Sequence, residues 1–168
     1  MAKAKMTKNT FMIVNRRSGK ALQITGLENG LVVEQNEINY NSAQLWSAVS
    51  AGKGYKLINK ANGQALDLMK NGTENGTWAH TWEDVDGESQ VWLIETASRG
   101  FRKITNAMAN KVLDIQDLSD FDGAAAQIWE DMGGEGQEWK IAEYPVVEKE
   151  TAPKAKKACA KKTTKASR

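Results

Sequence analysis

Apolar residues in this chain come in short stretches, some alternating with polar residues and some unbroken, and Gly or Asn-Gly turns separate them. The first is Phe11-Met12-Ile13-Val14, ended by Asn15. No stretch sustains the 3.6-residue apolar period of an amphipathic helix, so the pattern predicts strands and turns throughout. Alternation also assigns faces. In Leu66-Asp67-Leu68 and Leu113-Asp114-Ile115 the apolar pair shares one side, which turns Asp67 and Asp114 to the other. Downstream, Gln90, Trp92 and Ile94 fall on one face, as do Gln137, Trp139 and Ile141. A Gln on the core face beside a Trp is costly unless its amide is hydrogen-bonded, so its expected task is to tie down backbone or a neighbouring site.

These strands recur. An Asn stands seven residues before a Leu three times, as Asn15 and Leu22, Asn59 and Leu66, and Asn106 and Leu113. Each Leu opens a Leu-x-apolar strand, and each copy closes on Gln-x-Trp: Gln44-Leu45-Trp46, Gln90-Val91-Trp92 and Gln137-Glu138-Trp139. Successive Gln-x-Trp triplets lie 46 and 47 residues apart and successive Leu anchors 44 and 47. Three anchors in register three times define an internal repeat. A unit of roughly 45 residues cannot bury its own apolar face, and three are too few for a propeller or a long solenoid. The expectation is an all-β fold: a compact pseudo-threefold β barrel over residues 11–144, with repeats at about 11–53, 54–99 and 100–144. Trp46, Trp92 and Trp139, present in every copy on the apolar face, are expected in its core.

Composition narrows the functional classes. One cysteine, Cys159, and one histidine, His80, leave no disulfide within the fold, no cysteine-based metal site and no Ser/His/Asp pattern. No catalytic residue, metal site or cofactor is expected, and the chain reads as a non-enzyme. No apolar run approaches the roughly 18 residues of a membrane span. The basic start, MAKAKMTKNT, has no apolar segment after it, which points to a cytoplasmic protein or one exported without a recognisable signal peptide.

The triple Gln-x-Trp pattern, each copy preceded by an Asn-turn-Leu-Asp-type strand, closely resembles the ricin B-chain-type lectin domain, which implies a β-trefoil of three repeats with pseudo-threefold symmetry. The resemblance covers about residues 11–144. It implies non-catalytic carbohydrate binding, with glycans or polysaccharide as partners and up to one shallow sugar site per repeat. An Asp after the first strand would accept sugar hydroxyls and an aromatic residue would stack on the sugar ring. A Gln two positions before that aromatic, together with the Gln of Gln-x-Trp, would complete the site. Carried over, this gives Asp114, Gln127, Trp129 and Gln137 in the third repeat, and Asp67, His80, Trp82 and Gln90 in the second. His80 replaces the usual Gln but can still donate or accept. Where the family often has an Asn before Gln-x-Trp, this chain has Gly136 and Ser89. The first repeat has Gln23 for the Asp and Glu34-Gln35-Asn36 for the Gln-x-aromatic stretch, and is expected to be scaffold only. The family's usual intra-repeat disulfide is absent.

Other uses of these residues stay open at this point. Trp82 and Trp129 stack on a ligand or pack at the barrel rim, and Asp67 and Asp114 accept ligand hydroxyls or cap turns. His80 is a sugar contact or a simple hydrogen-bonding group. Trp78, two residues before His80, is expected partly buried beside the second repeat's site. Asn71-Gly72-Thr73 and Asn75-Gly76-Thr77 match glycosylation sequons but are expected to be Asn-Gly turns.

The net charge of +2 conceals an asymmetry. Residues 152–168 carry seven cations and no acid, while residues 1–151 hold 16 cations against 21 acids. Residues 1–10 are expected as a disordered arm and residues 145–168 as a disordered Lys/Ala-rich tail. The tail reads as a solubilising end or as a non-specific polyanion contact, since clustered lysines release counterions from nucleic acid or an anionic surface. That gives a different class of function, a protein-interaction scaffold whose tail docks on such a surface. Neither the sugar nor the oligomeric state can be read from the sequence.

Overall fold

Turns cut the apolar stretches at equivalent places in each repeat, and each repeat therefore folds as four short strands. The computed structural model describes residues 10–144. The first repeat supplies β1 (Phe11–Asn15), β2 (Ala21–Gln23), β3 (Glu34–Asn36) and β4 (Trp46–Ala51). The second supplies β5 (Gly54–Asn59), β6 (Ala65–Leu68), β7 (Ala79–Trp82) and β8 (Trp92–Thr96). The third supplies β9 (Arg102–Asn106), β10 (Val112–Ile115), β11 (Ala126–Trp129) and β12 (Trp139–Glu143). First and fourth strands pair antiparallel around a closed ring, β1-β4-β5-β8-β9-β12 and back to β1, which leaves the barrel no open edge. The second and third strands of each repeat form a hairpin, and the three hairpins cap one end of the barrel. This is the pseudo-threefold barrel that the repeats predict and the β-trefoil that the resemblance implies. The basic arm and tail fall almost wholly outside the described residues.

Trp46, Trp92 and Trp139 are completely buried at the centre, among Phe11, Ile13, Leu57 and Ile104 of the barrel and Leu22, Leu66 and Leu113 of the hairpins. A buried indole needs a partner for its N–H. Here the Nε1–H groups donate to the carbonyls of Leu22, Leu66 and Leu113 at 3.1, 2.9 and 3.0 Å, tying barrel to cap in each repeat.

The recurrent Asn and Gln side chains act as cross-braces. Asn15, Asn59 and Asn106 accept a turn N–H two residues on, and their Nδ2 groups donate to the carbonyls of Gly136, Ala43 and Ser89 in the preceding repeat. Each Gln of Gln-x-Trp closes a 3₁₀ turn, at Ser42–Gln44, Glu88–Gln90 and Glu135–Gln137, and the strand begins only at the Trp. The predicted continuous strand through both residues is therefore interrupted, although both remain buried. From the turn each Gln reaches a loop ahead of it. Its Nε2 donates to the carbonyl of Glu37, Glu83 or Glu130 at 2.8, 2.9 and 2.9 Å. Its Oε1 accepts the N–H of Asn39, Val85 or Met132 at 2.9, 3.2 and 2.8 Å.

Because this clamp operates in all three repeats, it is part of the scaffold. Gln44→Leu, in the repeat without ligand-type residues, is expected to lower stability by about 1–3 kcal/mol for each buried group left unpaired. Urea denaturation measures the loss, and a Gln44→Leu protein as stable as the wild type would show that the clamp bears no strain.

Candidate functional site

Asp67 and Asp114 occupy the same place in successive hairpins, on the face opposite their flanking apolar residues. That face is covered as well, so each carboxylate is only 5% exposed. Register then dictates the neighbours. Asp67 stands across from His80 in β6–β7, Asp114 across from Gln127 in β10–β11, and Gln23 across from Glu34 in β2–β3. Trp82 and Trp129 lie two residues on along the same face, each half-buried.

In the second repeat Oδ1 of Asp67 accepts the Leu68 N–H at 2.7 Å, and Oδ2 accepts from Gln90 Nε2 at 3.2 Å. The His80 ring stacks on Trp82, with centroids 5.6 Å apart and planes 24° from parallel. Its Nε2 lies 3.6 Å from Asp67 Oδ2, too long for a hydrogen bond. Both ring nitrogens are thus without a hydrogen-bond partner although the side chain is buried. Buried polar atoms are ordinarily paired, so this imidazole has capacity to spare. Asp67, His80 and Trp82 line a cleft of about 560 Å³ with Gly30, Lys70 and Val85. Asp114, Gln127, Trp129 and Gln137 line one of about 600 Å³ with Trp78 and Met132. Gln90 is fully buried with its amide committed, so its part in the site is to hold Asp67 and the loop rather than to reach into the cleft.

The first repeat keeps the clamp without the site. Gln44 Nε2 donates to Gln23 Oε1 at 3.0 Å, and Gln23 Nε2 donates to Glu34 Oε1 at 3.1 Å. These polar groups satisfy one another, where the second repeat leaves an imidazole unpaired.

Each cleft straddles two repeats. The backbone of Val32 bridges to His80, Trp78 to Gln127, and Ala125 to Glu34, so the hairpin of one repeat borders the site of the next. An Asn-Gly or Asp-Gly step docks each seam. Asn29, Asn75 and Asp122 accept the N–H groups of Glu83, Glu130 and Glu37, while Gly30, Gly76 and Gly123 donate to Thr81, Ile128 and Gln35. At Gly30 the left-handed φ of 88° and the Trp82 ring 3.2 Å from where a Cβ would stand both require glycine. Asn75-Gly76 is thus more than a local turn. Trp78 is 42% exposed and lines the third repeat's cleft, which corrects its expected place beside the second.

Two further features mark the second and third repeats and escape the motif. Lys56 donates to Asp84 and Asp86, both at 2.7 Å, and Lys103 donates to Asp131 at 2.6 Å, anchoring the loops that carry Val85 and Met132. Met12 and Ile38 stand at the corresponding positions of the first repeat. The rims also carry paired left-handed residues, Lys70 and Asn71 (φ 54° and 53°) and Asp117 and Leu118 (φ 56° and 54°). Such backbone costs on the order of 1 kcal/mol per residue and gathers at functional sites. The corresponding residues 25–27 of the first repeat have no positive φ. The lysines, the paired acids and the Asn/Asp-Gly steps all recur at constant distance from the Gln-x-Trp anchor, and that register is the signal that would have found them.

Burial pushes the Asp114 carboxyl above its ordinary value, against the downward pull of the Ile115 N–H and the Gln127 and Gln137 side chains. Burial acts upward on Asp67 too, but His80, the Ser89 hydroxyl, the Leu68 N–H and Gln90 together outweigh it and hold that carboxyl below the usual range. Among the described residues no group of three or more His, Cys, Asp or Glu could hold a metal ion. No helix there is long and apolar enough to cross a membrane.

A pseudo-threefold trefoil with an acid-and-aromatic cleft at two of its three seams belongs to a known class. The model of the ricin-type beta-trefoil lectin domain-like family matches residues 3–82, 53–129 and 88–152, and the chain belongs to that family. The designed threefold-symmetric protein ThreeFoil is similar at 29% identity and a TM-score of 0.79, over 80% of this chain and 99% of that one. An exo-beta-1,3-galactanase from Clostridium thermocellum matches equally well, at 29% identity and a TM-score of 0.79, over 82% of this chain but 31% of the galactanase. The Macrolepiota procera ricin B-like lectin, solved in complex with lactose, shares the fold at 20% identity and a TM-score of 0.74, over 84% of this chain and 99% of that one. No match is found among curated protein sequences. The family is one of carbohydrate-binding, generally non-catalytic domains, and the galactanase shows that an enzyme chain can include one.

His80 acts most strongly in lowering the Asp67 carboxyl, and Ser89, whose counterpart is Gly136, is a second contributor that can be tested alone. A Cβ at Gly136 would lie 3.9 Å from Asp114 Oδ1 and no nearer than 3.4 Å to any other group, so a Ser fits there. Gly136→Ser is expected to draw the Asp114 carboxyl downward, read by NMR titration of its carboxyl carbon. An unmoved titration would exclude the hydroxyl as a cause. The linkage signs differ as well. Asp67, depressed, adds stability above its unfolded pKa that is lost as pH falls through the folded value. Asp114, raised, adds stability in acid that is lost as pH rises through its folded value.

Proposed function

We propose that the protein binds carbohydrate non-covalently at the second and third repeats and catalyses nothing. One observation carries the reading: the same pair, a buried carboxylate below a half-exposed Trp, lines a cleft at two seams, and the first repeat lacks both partners. A sugar offers hydroxyls to the acid, at about 1.5–3 kcal/mol per charged hydrogen bond. It offers an apolar C–H face to the indole, the surface such a ring pairs with. His80 or Gln127 beside the acid can donate to or accept from a further hydroxyl.

Each site alone would give an affinity of about −4 kcal/mol, in the millimolar range. Two sites on one rigid barrel can gain on the order of 10²–10⁴ in avidity on a branched or surface glycan that spans both. The lactose bound by a structural neighbour is the chemistry to try first.

A second reading follows from the charge asymmetry: the trefoil is a scaffold, and the basic tail, outside the described residues, docks on nucleic acid or another polyanion. Binding of full-length protein and of residues 1–150 to glycans and to DNA over a salt series separates the two. Glycan binding that survives truncation and salt supports the lectin, and binding that disappears with the tail supports the scaffold.

Trp82→Ala and Trp129→Ala are each expected to weaken glycan binding about tenfold or more. Because both rings are half-exposed and the first repeat folds without one, the thermal midpoint should move little. Calorimetric titration and a thermal melt of each variant make the test. A variant that unfolds would place its Trp in the core.

A further inference from the structure

The two clefts share a plan, but their rims differ. Beside Gln127 the preceding repeat places Trp78, where the cleft of the second repeat has Val32 beside His80. The left-handed rim carries Leu118 in the third repeat and Asn71 in the second, and the anchored loop carries Met132 in place of Val85. Trp78, Leu118 and Met132 are 42%, 56% and 69% exposed. An exposed indole in the same cleft as Trp129 is an unfilled apolar surface of the kind that a ring ligand covers.

The position of Trp78 is set by backbone. Its carbonyl accepts the Met69 N–H at 3.0 Å and the neighbouring Thr77 carbonyl accepts the Ile128 N–H at 2.9 Å. Asn75-Gly76 just ahead is bonded to Glu130 and Ile128. Main chain held this way has little freedom left to lose when a ligand arrives. The acids of the cleft, Asp114 and Asp117, oppose carboxylated or sulfated ligands.

We propose that the cleft of the third repeat is a two-ring site for neutral oligosaccharides, in which Trp129 and Asp114 hold one sugar and Trp78 stacks on the next. This rests on the sugar-binding reading above. The cleft of the second repeat, with no aromatic at Val32, takes a single ring. Trp78 is then the residue that sets ligand length.

The test follows the indole N–H signals of the full-length protein by NMR, with those of Trp78 and Trp129 assigned from their Ala variants. A panel of neutral sugars is titrated in matched pairs: galactose with lactose, glucose with cellobiose, xylose with xylobiose. For the pair that binds, the disaccharide is expected to move both signals and to bind the third repeat about tenfold tighter than the monosaccharide. In Trp78→Ala that ratio should fall to about one, and Trp78→Tyr should restore most of it. A disaccharide that moves Trp129 without Trp78, or a ratio unchanged in Trp78→Ala, overturns the two-ring site and leaves sugar binding standing. If no sugar of either length moves Trp129, the sugar-binding reading fails for the third repeat, and the two-ring site with it.

Discussion

One buried amide in each repeat organises what surrounds it. The Gln of Gln-x-Trp lies where no water can satisfy it, so each of its polar atoms must find protein. It meets that demand by seizing both ends of a short loop segment, the carbonyl of Glu37, Glu83 or Glu130 and the N–H two residues further on. That loop stands as the outer wall of the cleft. In the second repeat the same Nε2 also reaches the acid on the floor. Wall and floor are therefore set by a group needed for folding, and a ligand meets a cleft that is already ordered.

Against this common frame the repeats diverge at few positions. Gln23 and Glu34 close a chain in which the Gln44 amide donates to Gln23 and the Gln23 amide to the Glu34 carboxylate, so these groups of the first repeat are bonded to one another. Asp67 and His80 leave an imidazole unpaired, and Asp114 accepts the Ile115 N–H where Asp67 accepts both the Leu68 N–H and the Gln90 amide. Three positions, Gln23, Glu34 and Asn36 against Asp67, His80 and Trp82, separate the self-satisfied scaffold from a site with an appetite for hydroxyls. The two sites also differ in their responses to acid.

Much of this was legible in the sequence, because the signals that set the fold are local and repeated. The Asn, Leu and Gln-x-Trp anchors carried the all-β class, the threefold plan and the three core tryptophans. The acids and aromatics of the candidate sites were legible through the family resemblance, and the structure adds the register that sets Asp67 across from His80 and Asp114 across from Gln127. What alternation could not show was that the face opposite Leu66 and Leu68 is also covered, because the covering loop comes from elsewhere in the repeat. Nor could it assign Trp78. Spacing within one repeat points it at its own site, whereas the seam hands it to the next. The lysine anchors at Lys56 and Lys103 escaped for a similar reason, as their partners lie 28 residues onward across the barrel.

The seams also bear on how such a protein can change. A cleft bounded by two repeats is not a cassette: copying one repeat into another position carries a floor and an aromatic but leaves the bordering hairpin behind. Substitutions that drift in the second repeat, at Trp78 or Asn75-Gly76, would be felt as altered selectivity in the third. Specificity in this architecture is inherited by neighbours, so the copies are bound to diversify in concert even though the second and third each keep their own acid and ring.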